Sequence, residues 1–275
     1  MILTKTEESR LLDSMAMKEY GIPEMVLMEN AGSSVVRLTE KYVDWDGAFT
    51  VILCGTGNNG GDGFVAARYA AGRGARVLVL LMGNEAHMSE SSKQYRHVID
   101  KMGIPVIPIS RAEEGAPYIH DADILVDALI GTGLSSEVKG EKALLITLMN
   151  EAQGIIISVD VPSGMLTDTG KAAGVVVDAD YTVALGSVKR GHVLYPGSSY
   201  TGTLLYSPIG IPDEARMDFP VHLTEKEDVF NILPVRNRVS HKGKNGFIGI
   251  FAGSYGMEGA ALLSGQGALY AGGGK

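Results

Sequence analysis

The chain has 275 residues, 45% of them hydrophobic, and a formal net charge of −8. That length and apolar content suit one large α/β domain or two smaller ones, each with a buried core. The acidic balance argues against nucleic acid and anionic membrane as partners, and the single cysteine, Cys54, excludes an intramolecular disulfide and fits a reducing, cytoplasmic compartment.

Met1 to Arg10 carries no signal-peptide core, and no run approaches the ~18 apolar residues of a membrane helix. Thr6 to Tyr20 predicts a helix whose apolar stripe is Leu11, Leu12, Met15 and Ala16, ended by Gly21-Ile22-Pro23. A second helix is predicted from Pro23 to about Tyr42, with Met25, Leu27, Met28, Ala31, Val35 and Leu38 on its buried face. Its methionines read as core filler.

Phe49 to Leu53 then reads as a buried strand, followed by the loop Cys54-Gly55-Thr56-Gly57-Asn58-Asn59-Gly60-Gly61-Asp62-Gly63 and a helix from Phe64 to Gly72. Strand, glycine loop and helix together present backbone N–H groups and a positive helix end to a phosphate. Gly55, Gly57 and Gly60 match G-x-G-x-x-G in the context it requires. Gly61 and Asp62 stand where an NTPase loop carries Lys and Ser/Thr, which argues against such a loop. Asp62 either caps a helix beginning at Gly63 or contacts a ligand hydroxyl or cation, and the residues leave both open. Five glycines in ten residues make a poor packing element, so the decapeptide reads as a binding loop. Cys54, at the end of a buried strand, reads as a small apolar residue.

Further strands are expected at Val77 to Leu81, Val106 to Ile107, Ile124 to Val126, Ile155 to Val159, Tyr181 to Leu185 and Thr203 to Tyr206, with helices at Ser89 to Met102 and Lys142 to Ala152. Unbroken apolar runs in strand–helix order predict an α/β fold: a doubly wound, mostly parallel, Rossmann-like three-layer sheet with two N-terminal helices. Composition changes near Leu233, where Arg236, Arg238, His241, Lys242 and Lys244 form a basic linker. Phe247 to Phe251 then reads as a new strand, with a glycine loop from Gly253 to Gly259 and a helix from Ala260 to Tyr270. The expected division is one domain over 1–233 and the start of another over 234–275.

Ligands of open α/β sheets bind beyond the carboxyl ends of the strands. Three expected strands end in glycine-flanked polar loops: Asn58 to Asp62, Asp127 followed by Ala128 to Ser136, and Asp160 followed by Val161-Pro162-Ser163-Gly164. Asp127 and Asp160 lie about one βαβ unit apart, which puts both at the same sheet edge. A fourth end, Gly186 to Gly191, adds Lys189 and Arg190. Taken singly each acid reads as a turn former; together they outline one cleft. Asn59, Asp127 and Ser163 offer hard oxygen ligands for an alkali or alkaline-earth cation, whereas the six scattered histidines lack zinc spacing.

Asn58 to Gly63, Asp127 to Leu134 and Asp160 to Gly164 resemble the signature segments of the NAD(P)H-hydrate epimerase family, and Leu27-Met28-Glu29-Asn30-Ala31-Gly32 resembles that family's N-terminal helix. The likeness covers roughly residues 8 to 212. His241-Lys242-Gly243 and Gly253 to Ala261 resemble the opening of the ADP-dependent NAD(P)H-hydrate dehydratase, often fused behind the epimerase in bacteria. The resemblance implies interconversion of the R and S forms of hydrated NADH and NADPH, so that an S-specific dehydratase can restore the cofactor. It implies a potassium ion on Asn59, Asp127 and Ser163. It implies contact with the hydrated dinucleotide by Asn58, Asn59, Gly60, Gly61 and Asp62, by Gly131, Thr132, Gly133, Leu134, Ser135, Ser136 and Glu137, and by Asp160. ADP or ATP would serve only the dehydratase part.

The ring nitrogen next to the hydroxyl-bearing carbon can expel hydroxide and leave an iminium-like centre, to which water returns on the other face. That needs a group to protonate the departing oxygen and to deprotonate the returning water. Asp127 is the first choice and Lys189 the second, although a cation beside Asp127 would oppose the raised pKa an acid needs. Two other readings compete: a Rossmann dehydrogenase with Glu85 as its ribose acid, and a non-catalytic scaffold of the same fold. A homo-oligomer stays open. Residues from about Val239 onward are too few to fold alone, so they are expected to be poorly ordered, loosely packed or self-associating, and the chain is expected to epimerise but not dehydrate.

Overall fold

The computed structural model describes residues 1–216, 219–233 and 239–274. The chain divides into two compact units, Met1–Leu223 and Thr224–Lys275. The first begins with a two-residue strand β1 (Leu3–Thr4) and helices α1 (Thr6–Lys18) and α2 (Glu24–Thr39). Strand–helix alternation follows with β2 (Phe49–Cys54), α3 (Asn58–Gly72), β3 (Arg76–Met82), α4 (Glu90–Lys101), β4 (Val106–Ile109) and α5 (Ala112–His120). It continues with β5 (Ile124–Ala128), α6 (Gly140–Glu151), β6 (Ile155–Val159), β7 (Tyr181–Leu185), β8 (Val188–Lys189), short helices α7 (Arg190–Val193) and α8 (Gly197–Tyr200), and β9 (Thr203–Ser207).

Seven strands form one sheet in the order β4-β3-β2-β5-β6-β7-β9, and every neighbouring pair is parallel. The chain runs outward from β2 to β4, then returns to place β5 on the other side of β2. Such a reversal opens a crevice at the carboxyl ends of the two central strands. Side chains alternate across each strand. Ile52, Val79 and Val126 face a layer containing Leu12, Val35, Phe64 and Ile99, while Val51, Leu53 and Leu125 face Ile119, Leu145, Ile146 and Met149.

The strands follow the apolar runs closely, and three features depart from expectation. Helix α5 has no counterpart in the expected elements, because Gly115 and Pro117 interrupt its helix formers. β1 and β8 pair in a separate parallel ribbon, tied by a 2.7 Å bond between the Thr4 and Ser187 hydroxyls. Helix α3 starts at Asn58 rather than after Asp62, so Asp62 is the fifth helical residue and does not cap the helix.

The second unit contains helices α9 (Lys226–Ile232) and α10 (Glu258–Tyr270). Neither buries a residue. Residues 247–251, expected as a strand, form none: a strand needs a hydrogen-bonded neighbour, and the described residues of this unit contain none. Phe251 and Tyr255 are fully exposed. Arg236 and Arg238 of the expected basic linker lie outside the described residues. The structural boundary falls ten residues before the one read from composition. Among the described residues no helix is long and apolar enough to cross a membrane.

Candidate active site

Three loop residues, Gly55, Thr56 and Gly57, connect β2 to α3. The glycines behind them serve close packing. A Cβ on Gly60 would lie 1.9 Å from the Gly55 carbonyl oxygen, and one on Gly63 would lie 2.7 Å from Cys54 Sγ and Ala128 Cβ. Helix α3 therefore sits hard against β2 and β5 with its positive end at their carboxyl edge. Gly60 and Gly61 donate their N–H groups to the Gly57 carbonyl oxygen at 3.0 and 3.3 Å and turn away from the crevice. Neither lines it, contrary to the contact expected of them. Cys54 is buried, and burial pushes its thiol far above its ordinary range, as an inert apolar residue requires.

The crevice is a cavity of about 850 Å³. Thr56, Gly57, Asn58, Asn59 and Asp62 line it from α3, and the whole stretch from Gly131 to Glu137 lines it from the loop after β5. Asp160 and Lys189 line it as well. Arg10, Lys139 and Lys142 bring positive charge to its wall, with Lys139 paired to Glu137 at 2.8 Å. Ser9, Asp13 and Met17 of α1 and Glu24 and Leu27 of α2 complete it. Asn58 is held by a 3.0 Å bond from its Nδ2 to Glu24 Oε1.

Asp127 lies elsewhere. It sits inside β5, level with Leu53 of β2 and Ser158 of β6, fully buried and outside the cavity lining. Its carboxylate accepts from Ser163 Oγ at 2.5 Å, Ser163 N at 2.8 Å, Ser158 Oγ at 2.9 Å and Leu129 N at 3.2 Å. Burial pushes this carboxyl up, against those four bonds. Fully buried and with no face on the cavity, Asp127 stands away from a substrate hydroxyl, which corrects its assignment as the proton-transfer group.

Asp160 follows β6 in the left-handed backbone region, at φ +65°. That conformation costs a non-glycine residue about 1 kcal/mol and is best tolerated by Asp and Asn. It aims the carboxylate at Leu185 N, 3.0 Å away, and at the Lys189 ammonium, which forms a short ion pair with it. Lys189 Nζ also donates to the Leu185 carbonyl oxygen at 2.7 Å and is buried. His192 Nδ1 accepts from Lys189 N at 3.2 Å. Burial, with Lys189 adding to it, pushes the imidazole down to about 4, so the ring is neutral and fit to accept.

Two carboxyls in the cavity have no hydrogen-bond or ion-pair partner among the described residues: Asp13 and Asp62. Burial pushes Asp13 up to about 6; Lys189 opposes the rise and Asp160 adds to it. Burial also pushes Asp62 well above the carboxylate range, with Asp160, Asp13 and Glu24 adding and Lys189 opposing. Asp13 was missed in the sequence, yet a signal was there. Ser9, Leu12 and Ala16 are the buried residues of α1, and Asp13 lies on the same helical face, where an apolar residue belongs. Leu11, expected in that stripe, is exposed.

Residues 24–191 match the model of a family described as "YjeF-related protein N-terminus". The chain belongs to this family. A relative from Limosilactobacillus fermentum named NAD(P)H-hydrate epimerase is 38% identical over 200 residues, covering 72% of this chain and 92% of that protein. A relative from Thermofilum pendens named bifunctional NAD(P)H-hydrate repair enzyme Nnr is 39% identical, covering 100% of this chain and 52% of that protein. The chain thus spans about half the length of its bifunctional relatives. The crystal structure of yeast ynu0 (YNL200c) shares the fold, with a TM-score of 0.68 at 24% identity over 83% of this chain and 98% of the yeast one. Within the family fold, the acid of the dehydrogenase reading is misplaced: Glu85 starts an exposed turn, 3.8 Å from Arg96 Nε and outside the cavity.

Proposed function

We propose that the first unit of this YjeF-related chain interconverts the R and S forms of hydrated NADH and NADPH. The observation that carries this reading is the single cavity joining the α3 N-terminus, the Gly131 to Glu137 loop and the Asp160–Lys189 pair. An anionic pyrophosphate suits the N-terminus of α3, and Arg10, Lys139 and Lys142 supply further positive charge. The hydrated ring then belongs at the other end, among Asp13, Asp62, Asp160 and Lys189. The names of the relatives support the same substrate.

Asn59, Asp127 and Ser163 fit a potassium ion. The Asn59 amide has a buried Nδ2 without a hydrogen-bond partner. Turning that amide over would put its oxygen where the unpaired Nδ2 stands, as a cation ligand requires. Ser163 Oγ lies 2.5 Å from Asp127 Oδ1 and 3.2 Å from the Ile130 carbonyl oxygen. One carboxylate among neutral oxygens suits a monovalent cation, and among the described residues no three His, Cys, Asp or Glu side chains form a metal-binding group. When bound, the ion would fix the Asn59 amide and the turn after β5 beside the dinucleotide and offset its charge.

The chemistry is loss of hydroxide from the carbon beside the ring nitrogen and return of water to the opposite face. Asp160 and Lys189 hold each other in place and orient the ring end. The second unit resembles the opening of a dehydratase, and we propose that it contributes nothing to inversion. The test is chromatography that resolves R- and S-hydrate after incubation with the purified chain. Inversion in proportion to protein supports the reading, and a rate equal to the protein-free control refutes it. Ligand binding without turnover would favour a scaffold instead.

A further inference from the structure

We propose that Asp13, on the first helix, is the catalytic residue that exchanges a proton with the substrate's leaving hydroxyl. The inference rests on the epimerase reading above. The other ionisable groups around the ring end of the cavity, Asp62 apart, are committed to partners. Asp127 is walled off behind Ser158 and Ser163. Lys189 is committed to Asp160 and to the Leu185 carbonyl oxygen, and Asp160 accepts from Lys189 and Leu185 N. Asp13 has neither hydrogen bond nor ion pair among the described residues, although it lies on the buried face of α1 and lines the cavity. A Cβ on Gly186 would lie 3.8 Å from Asp13 Oδ1, which locates this carboxyl at the carboxyl end of β7, beside the Asp160–Lys189 pair.

An unpartnered carboxyl half-buried in a cavity costs stability unless a ligand supplies its partner. A hydroxyl on the substrate ring is such a partner, since it can accept from the protonated form and donate to the ionised form. Proton exchange also needs both forms accessible near neutral pH. Asp13, facing Lys189, Asp160 and Asp62, meets that condition at about 6. Burial pushes Asp62 well above the carboxylate range as well, with Asp160, Asp13 and Glu24 adding to the rise and Lys189 opposing it.

Protonated Asp13 gives its proton to the hydroxyl as the carbon–oxygen bond breaks, and the ring-nitrogen lone pair forms the carbon–nitrogen double bond. The products are water, an iminium ring and the Asp13 carboxylate. A cavity water adds to the opposite face, the electron pair returns to nitrogen, and the added water's proton leaves to solvent. Solvent then reprotonates Asp13. In the reverse direction Asp13 is the base.

The experiment compares the wild-type chain with Asp13→Asn and Asp13→Glu by resolved chromatography, subtracting spontaneous inversion at each pH. Asp13→Asn is expected to lower kcat by about 10²- to 10⁴-fold with KM little changed and folding intact. Asp13→Glu should recover part of that loss. Wild-type kcat/KM should fall as pH rises through about 6, and residual Asp13→Asn activity should lack that fall. Should Asp13→Asn fail to fold, Asp13→Glu and the wild-type pH profile carry the test, and a wild-type profile flat between pH 5 and 8 overturns the proposal. Wild-type inversion with Asp13→Asn within threefold of it also overturns the Asp13 role while leaving the epimerase reading standing. Absence of wild-type inversion overturns both.

Discussion

Ser163 donates twice to Asp127, from its hydroxyl to Oδ1 at 2.5 Å and from its backbone N–H to Oδ2 at 2.8 Å. This pair ties the loop after β6 to the interior of β5, with Ser158 Oγ and Leu129 N completing the carboxylate's partners. Asp127→Ala would strand those donors in a buried site, where each unpaired group costs about 1–3 kcal/mol. The expected outcome is a protein destabilised by about 3–5 kcal/mol in denaturant titration, with activity lost alongside the fold. An unchanged unfolding midpoint would show that the contacts of Asp127 carry no structural weight.

Asp160→Ala has two expected effects. It leaves the buried Lys189 ammonium without its carboxylate, and it puts alanine at a positive φ. Breaking a buried ion pair from one side costs about 3–5 kcal/mol. The melting temperature should fall, and calorimetry with a non-reacting dinucleotide should show weaker binding. Asp160→Asn, which tolerates the same backbone and still accepts a hydrogen bond, should lose less of both. Equal losses in the two variants would contradict this account.

Two groups give stability a pH dependence of opposite sign. Asp13 rises from 3.8 to about 6 on folding, so its contribution is fully present below pH 3.8 and is lost as pH rises to about 6. Above that, the buried carboxylate costs up to about 3 kcal/mol. Asp13→Asn should therefore raise the melting temperature at pH 8 and leave it nearly unchanged at pH 3.5. His192 falls from 6.5 to about 4, so its contribution is full above pH 6.5 and is lost as pH falls to about 4, again up to about 3 kcal/mol. His192→Asn should flatten that acid-side loss. Melting curves across pH 3.5 to 8 for the three proteins decide both signs.

Potassium should stabilise the chain by mass action if Asn59, Asp127 and Ser163 hold it, by about 2.7 kcal/mol at a hundredfold excess over Kd. Replacement by a large organic cation at constant ionic strength should lower the melting temperature. Indifference to the exchange would remove the ion from the account.

The sheet was legible because its strands are unbroken aliphatic runs, and because Asp160 and the Asn58 region follow such runs directly. Asp127 shows where that reasoning stops. It looked like a strand end, yet it lies within β5, and three of its four hydrogen bonds come from Ser158 and Ser163, 31 and 36 positions away, which no local pattern displays. The glycines after Gly57 looked like a long binding loop, but Gly60 and Gly63 are there because α3 lies too close to β2 and β5 for a side chain. Asp13 was hidden among charges on a helix whose buried stripe was drawn through Leu11 instead of Ser9.

Nucleotide-dependent recovery of NAD(P)H is not expected from this 275-residue chain. Neither helix of the second unit buries a residue, and its described cavity is an apolar one of about 220 Å³ lined by Ile248, Ile250 and Leu269. Formation of the nicotinamide absorbance band with ADP or ATP present would contradict this.

The most direct measurement runs the inversion in ¹⁸O-labelled water. Starting from pure S-hydrate, the protein should produce R-hydrate in proportion to its concentration, well above the protein-free rate. Each R molecule should carry a solvent oxygen, because inversion breaks the carbon–oxygen bond. No protein-dependent R-hydrate, or R-hydrate that retains its original oxygen, would contradict the account.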